Sequence, residues 1–447
     1  GRAWPGPLPA GHGARPAWAV AAAGWLASSL RVSAAALAGT ALVSAHHFQA
    51  LTPIALVANL FAVPLAGALL LLALLVCALE AFWHTAAGLL LGLCGVLVAL
   101  LERLCAFVAA AKWCSFHVVP PPLPLVLLGL VAVAGVGLGR PAARRASLAL
   151  LIAAVALTAA RGRTVPGPGR LEIALLDVGQ GDAIVVRFPG GTTMLVDAGG
   201  FARSRFDVGA RVVAPALRAM GILKLDLLAI THAHRDHLGG ASAIVRQFSP
   251  AAIWLGRMPQ QDAAVGGLLE VAARQGIPVL FPRRGVLCRI DGTNVEVLNP
   301  GPGVVAASAA SNNDSLVLRL ALGRRRVLLT GDLERELETI LIEEGRDLAA
   351  DLLKIGHHGS RTSTSAPFLL RVQPQTAALS VGAANPWGHP DRDVVLRLAA
   401  AGIALLRTDR DGALLVATDG RAPWTMRRLT GDAAGTAGAI RSWEPSE

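Results

Sequence analysis

Tyrosine is absent from this chain of 447 residues, and Phe and Trp together make up only 4% of it. Charge is scarce too: Asp, Glu, Lys and Arg amount to 16%, against 53% hydrophobic residues. So low a charged share excludes an ordinary water-soluble protein. The shortage is uneven. The first 163 residues hold two acidic side chains, Glu80 and Glu102, and ten Lys and Arg, so most of the formal net charge of +11 belongs to them. Positive charge concentrated in an apolar half marks membrane flanks rather than a nucleic-acid footprint. The nearly balanced remainder neither requires nor excludes a polyanionic partner. Five cysteines (Cys77, Cys94, Cys105, Cys114 and Cys288) form no CxxC pair. That argues against a zinc knuckle or an iron–sulfur site, and an odd number argues against a full disulfide framework; they read as small apolar core residues. Neither an initial Met nor a charged n-region followed by a signal-peptide h-region is present, so a fragment of a longer protein is expected.

Long apolar runs dominate the first half. Ile54–Leu79 is apolar but for Asn59 and contains Pro64 and Gly67; Thr85–Ala111 is broken only by Glu102 and Arg103; Leu123–Leu138 and Ala146–Ala160 follow. A helix needs about twenty apolar residues to cross the hydrocarbon core. The first two runs meet this, and the last two are short enough to be tilted or partly interfacial. Ala17–Ala45, semi-apolar with Arg31, either spans or lies in the interface. Asn59 and Pro64 fit a broken helix lining a pathway as well as an ordinary kinked one. Pro120, Pro121, Pro122 and Pro124 predict a rigid extended connector. Arg140, Arg144 and Arg145 on one side of the last run, with Arg161, Arg163 and Arg170 on the other, leave the positive-inside rule tied.

Residues 164–170, with Pro166, Gly167, Pro168 and Gly169, predict a linker and the main domain boundary. This gives a membrane-embedded helical domain over 1–163, a second domain over 171–430 and a flexible tail over 431–447. In the second domain Leu171–Leu176, Ala183–Phe188, Thr192–Val196 and Leu225–Ile230 read as strands, and Val208–Met220 and Leu238–Gln247 as helices. Ala251–Leu255, Val295–Leu298, Ser315–Leu320, Arg326–Leu329 and Asp351–Ile355 read as further strands, with a helix over Glu334–Glu344. Hairpins opening each half, then strands alternating with helices, predict two sheets between helical layers. The expected fold class is therefore multidomain, an all-α transmembrane bundle followed by an αββα sandwich.

Six of the eleven histidines lie beyond residue 163, and all six fall in three short motifs. The densest, Thr231-His-Ala-His-Arg-Asp-His237, directly follows the strand ending at Ile230. A helix would scatter His232, His234 and Asp236 around its axis, whereas a loop after a strand lets them converge. Imidazole and carboxylate are ligands suited to zinc or manganese. Asp177 and Asp182, which flank Gly179 and Gly181, read as hairpin turn chemistry. Arg324, Arg325 and Arg326 read as a solvated hairpin tip rather than a phosphate clamp.

His232, His234, Asp236 and His237 resemble the HxHxDH motif of the metallo-β-lactamase superfamily. Asp197, in Met194-Leu-Val-Asp-Ala-Gly-Gly200, resembles that superfamily's strand-end aspartate, which braces the metal loop. Asp332, in Leu328-Leu-Thr-Gly-Asp332, resembles the carboxylate that bridges two metals. His357, in Leu353-Lys-Ile-Gly-His-His-Gly-Ser360, resembles the last ligand, with His358 as the alternative. The superfamily's usual third histidine for the first metal has no counterpart, because no histidine lies between His237 and His357. Ser311-Asn-Asn-Asp-Ser315 occupies that interval; Asp314 or an Asn amide oxygen stands in, or the cluster is a plain turn. The resemblance implies two divalent ions, zinc or manganese, and the missing histidine shifts the balance toward manganese.

Asp177-Val-Gly-Gln-Gly-Asp182, Lys354, Gly388-His-Pro390 and Arg407-Thr-Asp-Arg-Asp-Gly412 occur in order, with Leu56-Val-Ala-Asn-Leu-Phe-Ala-Val-Pro-Leu65 in the apolar half. With them the chain is similar over nearly its whole length to ComEC-type competence proteins, the inner-membrane channels of bacterial DNA uptake. The resemblance implies a multi-pass protein of the bacterial plasma membrane with an extracytoplasmic hydrolase domain and a missing amino-terminal region. It implies DNA as partner (a double-stranded substrate, a single strand transported), with other competence proteins and further copies of itself. Hydrolysis of DNA phosphodiesters is the implied reaction, since coordination lowers the pKa of water toward ~7. Asp236 would orient the nucleophile, and Lys354 and His389 would stabilise negative charge or protonate the leaving oxygen. Two other readings share these residues: a membrane-anchored hydrolase of a thioester, lactone or lactam, and a domain that only binds or gates DNA.

Overall fold

The structure is a computed structural model that describes residues 16–110, 115–161, 169–201, 204, 206–259, 261–301, 306–307, 311–383 and 385–429. Most of the expected linker and the expected tail over 431–447 lie outside the described residues. The chain divides into two units, Gly1–Ala159 and Ala160–Glu447.

Among the described residues the first unit holds five helices, α1 (Ala17–Phe48), α2 (Ala55–Glu80), α3 (His84–Ala110), α4 (Leu123–Leu138) and α5 (Pro141–Ala160), and one antiparallel pair, Ala50–Leu51 with Phe116–His117. α1, α2, α3 and α5 are long and apolar enough to cross a membrane, and α4 has 16 residues. The semi-apolar Ala17–Ala45 stretch is thus part of one continuous helix of 32 residues, about 48 Å long at 1.5 Å per residue. α5 starts at Pro141, ahead of the expected Ala146, because proline fits the first turn of a helix, where its missing N–H is not needed. α2 runs unbroken through Pro64 and has no buried residue. Phe61, Val63, Leu70, Leu71 and Leu74 on it are all exposed, a continuous apolar surface that lipid solvates and water does not. Hydroxyls inside the apolar helices turn back on their own backbone, as Thr40 Oγ1 to Ala36 O and Thr158 Oγ1 to Ala154 O, both at 2.8 Å. The proline connector is packed rather than exposed: Val118 and Val119 are buried, and His46 Nδ1 lies 2.9 Å from Pro121 O.

Among the described residues the second unit holds two large sheets and a short parallel pair, Met258–Pro259 with Ala306–Ala307. The first contains β1 (Leu171–Leu175), β2 (Ile184–Arg187), β3 (Thr193–Val196), β4 (Leu227–Ile230), β5 (Ala252–Leu255) and β6 (Val279–Leu280). The second contains β7 (Leu287–Ile290), β8 (Thr293–Asn299), β9 (Val317–Leu322), β10 (Arg325–Leu329), β11 (Leu352–Lys354), β12 (Thr376–Leu379) and β13 (Ala404–Arg407). Two last strands, β14 (Ala413–Thr418) and β15 (Thr425–Leu429), return to the first sheet beside β1. The orders are β15-β14-β1-β2-β3-β4-β5-β6 and β7-β8-β9-β10-β11-β12-β13. Each sheet begins antiparallel and turns parallel, at β3–β4 in the first and β10–β11 in the second.

Alternation along the strands decides which layer each side chain joins. Leu171, Ile173, Met194, Val196, Leu227 and Ala229 face Val297, Leu318, Leu320, Val327 and Leu329 between the sheets. Their neighbours Leu195, Leu228 and Ile230 turn outward against helices α6 (Ala214–Ala219), α7 (Ala241–Phe248) and α8 (Ala263–Arg274). On the other side Leu328, Leu353 and Leu379 meet α9 (Arg335–Glu343), α10 (Ala366–Val372) and α11 (Arg392–Ala400). The layers are helix, sheet, sheet, helix. α8 was not read from the sequence because Gly266 and Gly267 sit inside it, each costing about 1 kcal/mol relative to Ala. Asp262 caps it through Ala264 N and Val265 N, and Val265 and Leu268 bury its inner face. The arginine run at the β9–β10 turn is tied down, with Arg325 paired to Asp351 at 3.0 Å.

Leu318, fully buried between the sheets, tests the sandwich. Leu318→Ala is expected to cost about 2–5 kcal/mol, and Leu370→Ala on the exposed face of α10 below about 0.5 kcal/mol. Urea unfolding of the detergent-solubilised chain, followed by a probe in the second unit, reads both.

Candidate metal centre

Parallel strands from both sheets bring their carboxyl ends to one place, the edge at which such sheets hold ligands. β3 runs into Asp197 and β4 into Thr231–His237; β10 runs into Asp332 and β11 into His358. Asp197 is fully buried, with a φ of 60°. Its carboxylate accepts from Thr231 N at 2.7 Å, Thr231 Oγ1 at 2.8 Å and His237 Nδ1 at 2.7 Å. The Thr231 hydroxyl, with its proton committed to Asp197, accepts from His232 Nδ1 at 3.0 Å. Both imidazoles therefore carry hydrogen on Nδ1 and turn Nε2 inward. His358 is set the same way: Nδ1 is 2.9 Å from Ser380 O, a carbonyl that can only accept.

Those Nε2 atoms meet two carboxylates. His237 Nε2 is 3.2 Å from Asp332 Oδ2 and 3.2 Å from His358 Nε2. His358 Nε2 is 3.3 Å from Asp236 Oδ2 and 3.5 Å from Asp332 Oδ2. Ligands at ~2.0–2.1 Å in a tetrahedron stand about 3.3–3.4 Å from one another, so Asp236, His237, Asp332 and His358 fit one divalent ion. His232 Nε2 also approaches Asp332 Oδ2, at 3.8 Å, and lies 3.0 Å from His234 Nδ1. Asp332 is common to both donor groups, and its Oδ1 is buried without a hydrogen bond among the described residues. A buried carboxylate oxygen left in that state is costly; the Lys354 ammonium, 3.8 Å from it, offsets part of that cost, and the imidazoles gather on Oδ2.

The charges point the same way. Burial opposes ionisation of Asp332, but His237 and His358 outweigh it and hold the carboxyl well below its ordinary range. Burial likewise opposes charge on His358, and Asp332 and Asp236 overcome it and raise the imidazole. Carboxylates that draw protons onto neighbouring imidazoles would draw a metal ion in their place, with release of those protons. His232 is pushed well down by burial and by His237.

Several sequence readings change. His357 and His358 both adopt left-handed backbone, with φ of 44° and 50°, which turns the adjacent rings apart. His358 enters the centre; His357 turns to Glu334 Oε1 at 2.9 Å and Asn312 Nδ2 at 3.3 Å. The preference for His357 as the last donor therefore passes to His358. Lys354 is buried, paired with Asp182, donating to Gly331 O at 2.9 Å and lying 3.8 Å from Asp332 Oδ1. It cannot reach a substrate; it compensates the interior carboxylates. Asp182 is no turn cap but a buried anion 3.7 Å from His358 Nδ1, while Asp177 keeps its turn role by accepting from Gly179 N at 3.3 Å. Between them, Gly181 has a φ of 121°, and a Cβ there would lie 2.2 Å from Asp236 O. Asp314 is paired with Arg257 at 3.6 Å and joins neither donor group. His389 is half-buried, its ring centroid 5.6 Å from that of His357, and burial together with His357 lowers its pKa. Asn385 clamps its backbone, accepting from His389 N at 3.0 Å and donating to His389 O at 2.6 Å. Glu334 and Ser380 carried no signal in the sequence, since one is an ordinary helix-start acid and the other acts through its carbonyl.

Residues 176–383 match the metallo-beta-lactamase superfamily, so the second unit is a metallo-beta-lactamase domain. Residues 10–142 match the competence protein family. One chain thus joins a region that matches the competence protein family to a metallo-beta-lactamase domain. It is 33% identical to ComE operon protein 3 of Bacillus subtilis (strain 168) over 254 residues, covering 54% of this chain and 32% of that protein. Competence protein ComA of Neisseria gonorrhoeae is 33% identical over 301 residues, 67% of this chain and 39% of that protein. Recombination protein 2 of Haemophilus influenzae is 32% identical over 228 residues, 51% of this chain and 26% of that protein. The chain thus matches about a third of the length of these relatives.

Lys354 gives the test of the interior charge balance. Lys354→Met leaves Asp182 and Asp332 buried without their cation and is expected to cost about 3–5 kcal/mol. A urea midpoint of the second unit equal to that of the parent would remove the role assigned to it.

Proposed function

We propose that the second unit is a metal-dependent phosphodiesterase that cleaves DNA during uptake across the bacterial plasma membrane. The observation that carries the reading is the convergence on Asp332 of two donor groups, His232 with His234 and Asp236 with His237 and His358. Two divalent ions, zinc or manganese, supply Lewis acidity and water with a pKa lowered toward ~7 when bound there. Among the donors Asp236 is the one whose carboxylate reaches toward solvent, with 30% side-chain exposure, which suits it to orient an attacking water. His389, at the rim and held by Asn385, is the proposed residue that stabilises negative charge or protonates the leaving oxygen. Lys354 acts indirectly, by keeping Asp182 and Asp332 tolerable inside the protein.

The first unit, with four helices of spanning length, is the membrane-embedded half of a multi-pass channel through which a single strand passes. The hydrolase stands on the extracytoplasmic side, and other competence proteins and further copies of the chain complete the machinery. The competence matches in both halves support this larger reading.

The detergent-solubilised chain is expected to cleave DNA with manganese or zinc, to stop with EDTA and to recover on metal addition. Asp332→Asn should lower the rate at least about a hundredfold. Metal analysis should show His358→Ala losing bound metal and His357→Ala keeping it. Hydrolysis of a thioester or lactone without DNA cleavage would give the site to a different hydrolase. DNA binding with less than one metal per chain would favour a domain that only gates.

A further inference from the structure

The chain is poor in aromatic side chains, at 4% with no tyrosine, and in the second unit most of them serve the core. Phe188, Phe248 and Phe368 are buried. The three most exposed there among the described residues are Phe201 at 40%, Phe206 at 43% and Trp387 at 61%. All three sit on the loops that frame the metal centre. Phe201 directly follows Gly200, whose backbone is pressed against the turn that holds Asp236 and His237: a Cβ on Gly200 would lie 2.1 Å from Arg235 O. Phe206 pairs with Phe201 at 6.1 Å between centroids. Trp387 lies two residues before His389. Its loop joins the same rim, since Asn385 bonds both Gly382 O and His389 O, and Gly382 N donates to Gln180 Oε1. The Gly179–Gln180 turn therefore stands between Phe201, which it touches, and the Trp387 loop.

Cations accompany the rings. The Arg211 guanidinium stands over Phe206, 5.6 Å from its centroid. Arg235 is exposed between His234 and Asp236, and its side chain makes no ion pair among the described residues. Exposed aromatic faces with unpaired arginines beside them are the elements of a surface that stacks bases and follows a phosphate backbone. Bases in a duplex already stack on one another, so such a surface selects unpaired ones.

We infer that Phe201, Phe206 and Trp387, with Arg211 and Arg235, form a stacking platform for single-stranded DNA at the mouth of the metal centre. The inference deepens the phosphodiesterase reading and rests on it for the identity of the substrate. The platform presents one backbone phosphate to the donors while flanking bases lie on the rings, so unpaired ends and single strands are held in preference to duplex.

The test uses the detergent-solubilised chain and fluorescein-labelled oligothymidylate, with anisotropy measured in EDTA so that cleavage does not intervene. Phe201→Ala and Trp387→Ala are each expected to weaken binding about five- to a hundredfold, and Phe281→Ala not at all. Trp387→Phe, which keeps a ring, should restore most of the loss, a recovery that misfolding would not show. The parent should bind the single strand more tightly than a duplex of equal length. In manganese, KM for the oligonucleotide should rise in the alanine variants more than kcat falls. Affinity unchanged in both alanine variants, or a parent that prefers duplex, overturns the platform. Weakened binding to phosphatidylglycerol vesicles with oligothymidylate affinity intact would assign the rings to lipid and overturn it as well. Hydrolysis of bis(p-nitrophenyl) phosphate by the parent separates the two readings: its absence with ring-dependent oligonucleotide binding sinks the phosphodiesterase alone, and its presence with ring-independent binding sinks the platform alone.

Discussion

The Asp197 carboxylate, buried at the end of β3, sets the direction of the donors in the HxHxDH loop. Three hydrogen bonds converge on it, from Thr231 N, Thr231 Oγ1 and His237 Nδ1. Through the Thr231 hydroxyl it also fixes His232. Inside a protein such bonds are strong and an unmade one is costly, so Asp197 holds two imidazoles with Nε2 facing inward without touching the point where those atoms meet. Its own pKa is raised by burial, against the pull of His237, and it remains tolerable because every lone pair used has a donor.

The second sheet answers this arrangement with charge. Asp332 arrives from β10 and His358 from the segment after β11, and Lys354 lies beneath them bound to Asp182 and the Gly331 carbonyl. Burying Asp182 and Asp332 beside one another would be prohibitive without a cation. One ammonium, with two imidazoles raised by their carboxylate neighbours or, in the proposed function, divalent ions in place of those protons, makes the cluster neutral enough to lie between the sheets. The site therefore depends on sheet-on-sheet packing as much as on any motif, because each sheet supplies charge that the other must balance.

The first unit follows a different physics. Its helices satisfy their own backbone groups and return their hydroxyls to their own carbonyls, so they need no polar partner to sit in lipid. α2 buries nothing within the unit. Pro64 removes one backbone donor from α2 without ending the helix.

Much was legible in the residues alone. Apolar run lengths locate the spanning helices, short apolar runs between turns locate β1 to β5 and β8 to β11, and the donors after β4 follow from the density of His and Asp beyond a buried strand. α8 is hidden by Gly266 and Gly267, and β12 to β15 lie outside the strands read from the sequence. In the site, composition fixed which atoms were available: imidazoles, carboxylates and one lysine. Packing decided which of them face inward. Two left-handed residues in succession at His357 and His358 point one ring at Asp332 and the other at Glu334, and Lys354 and Asp182 become interior partners once two sheets close over them. Those outcomes depend on contacts between segments more than a hundred residues apart, which local spacing does not encode.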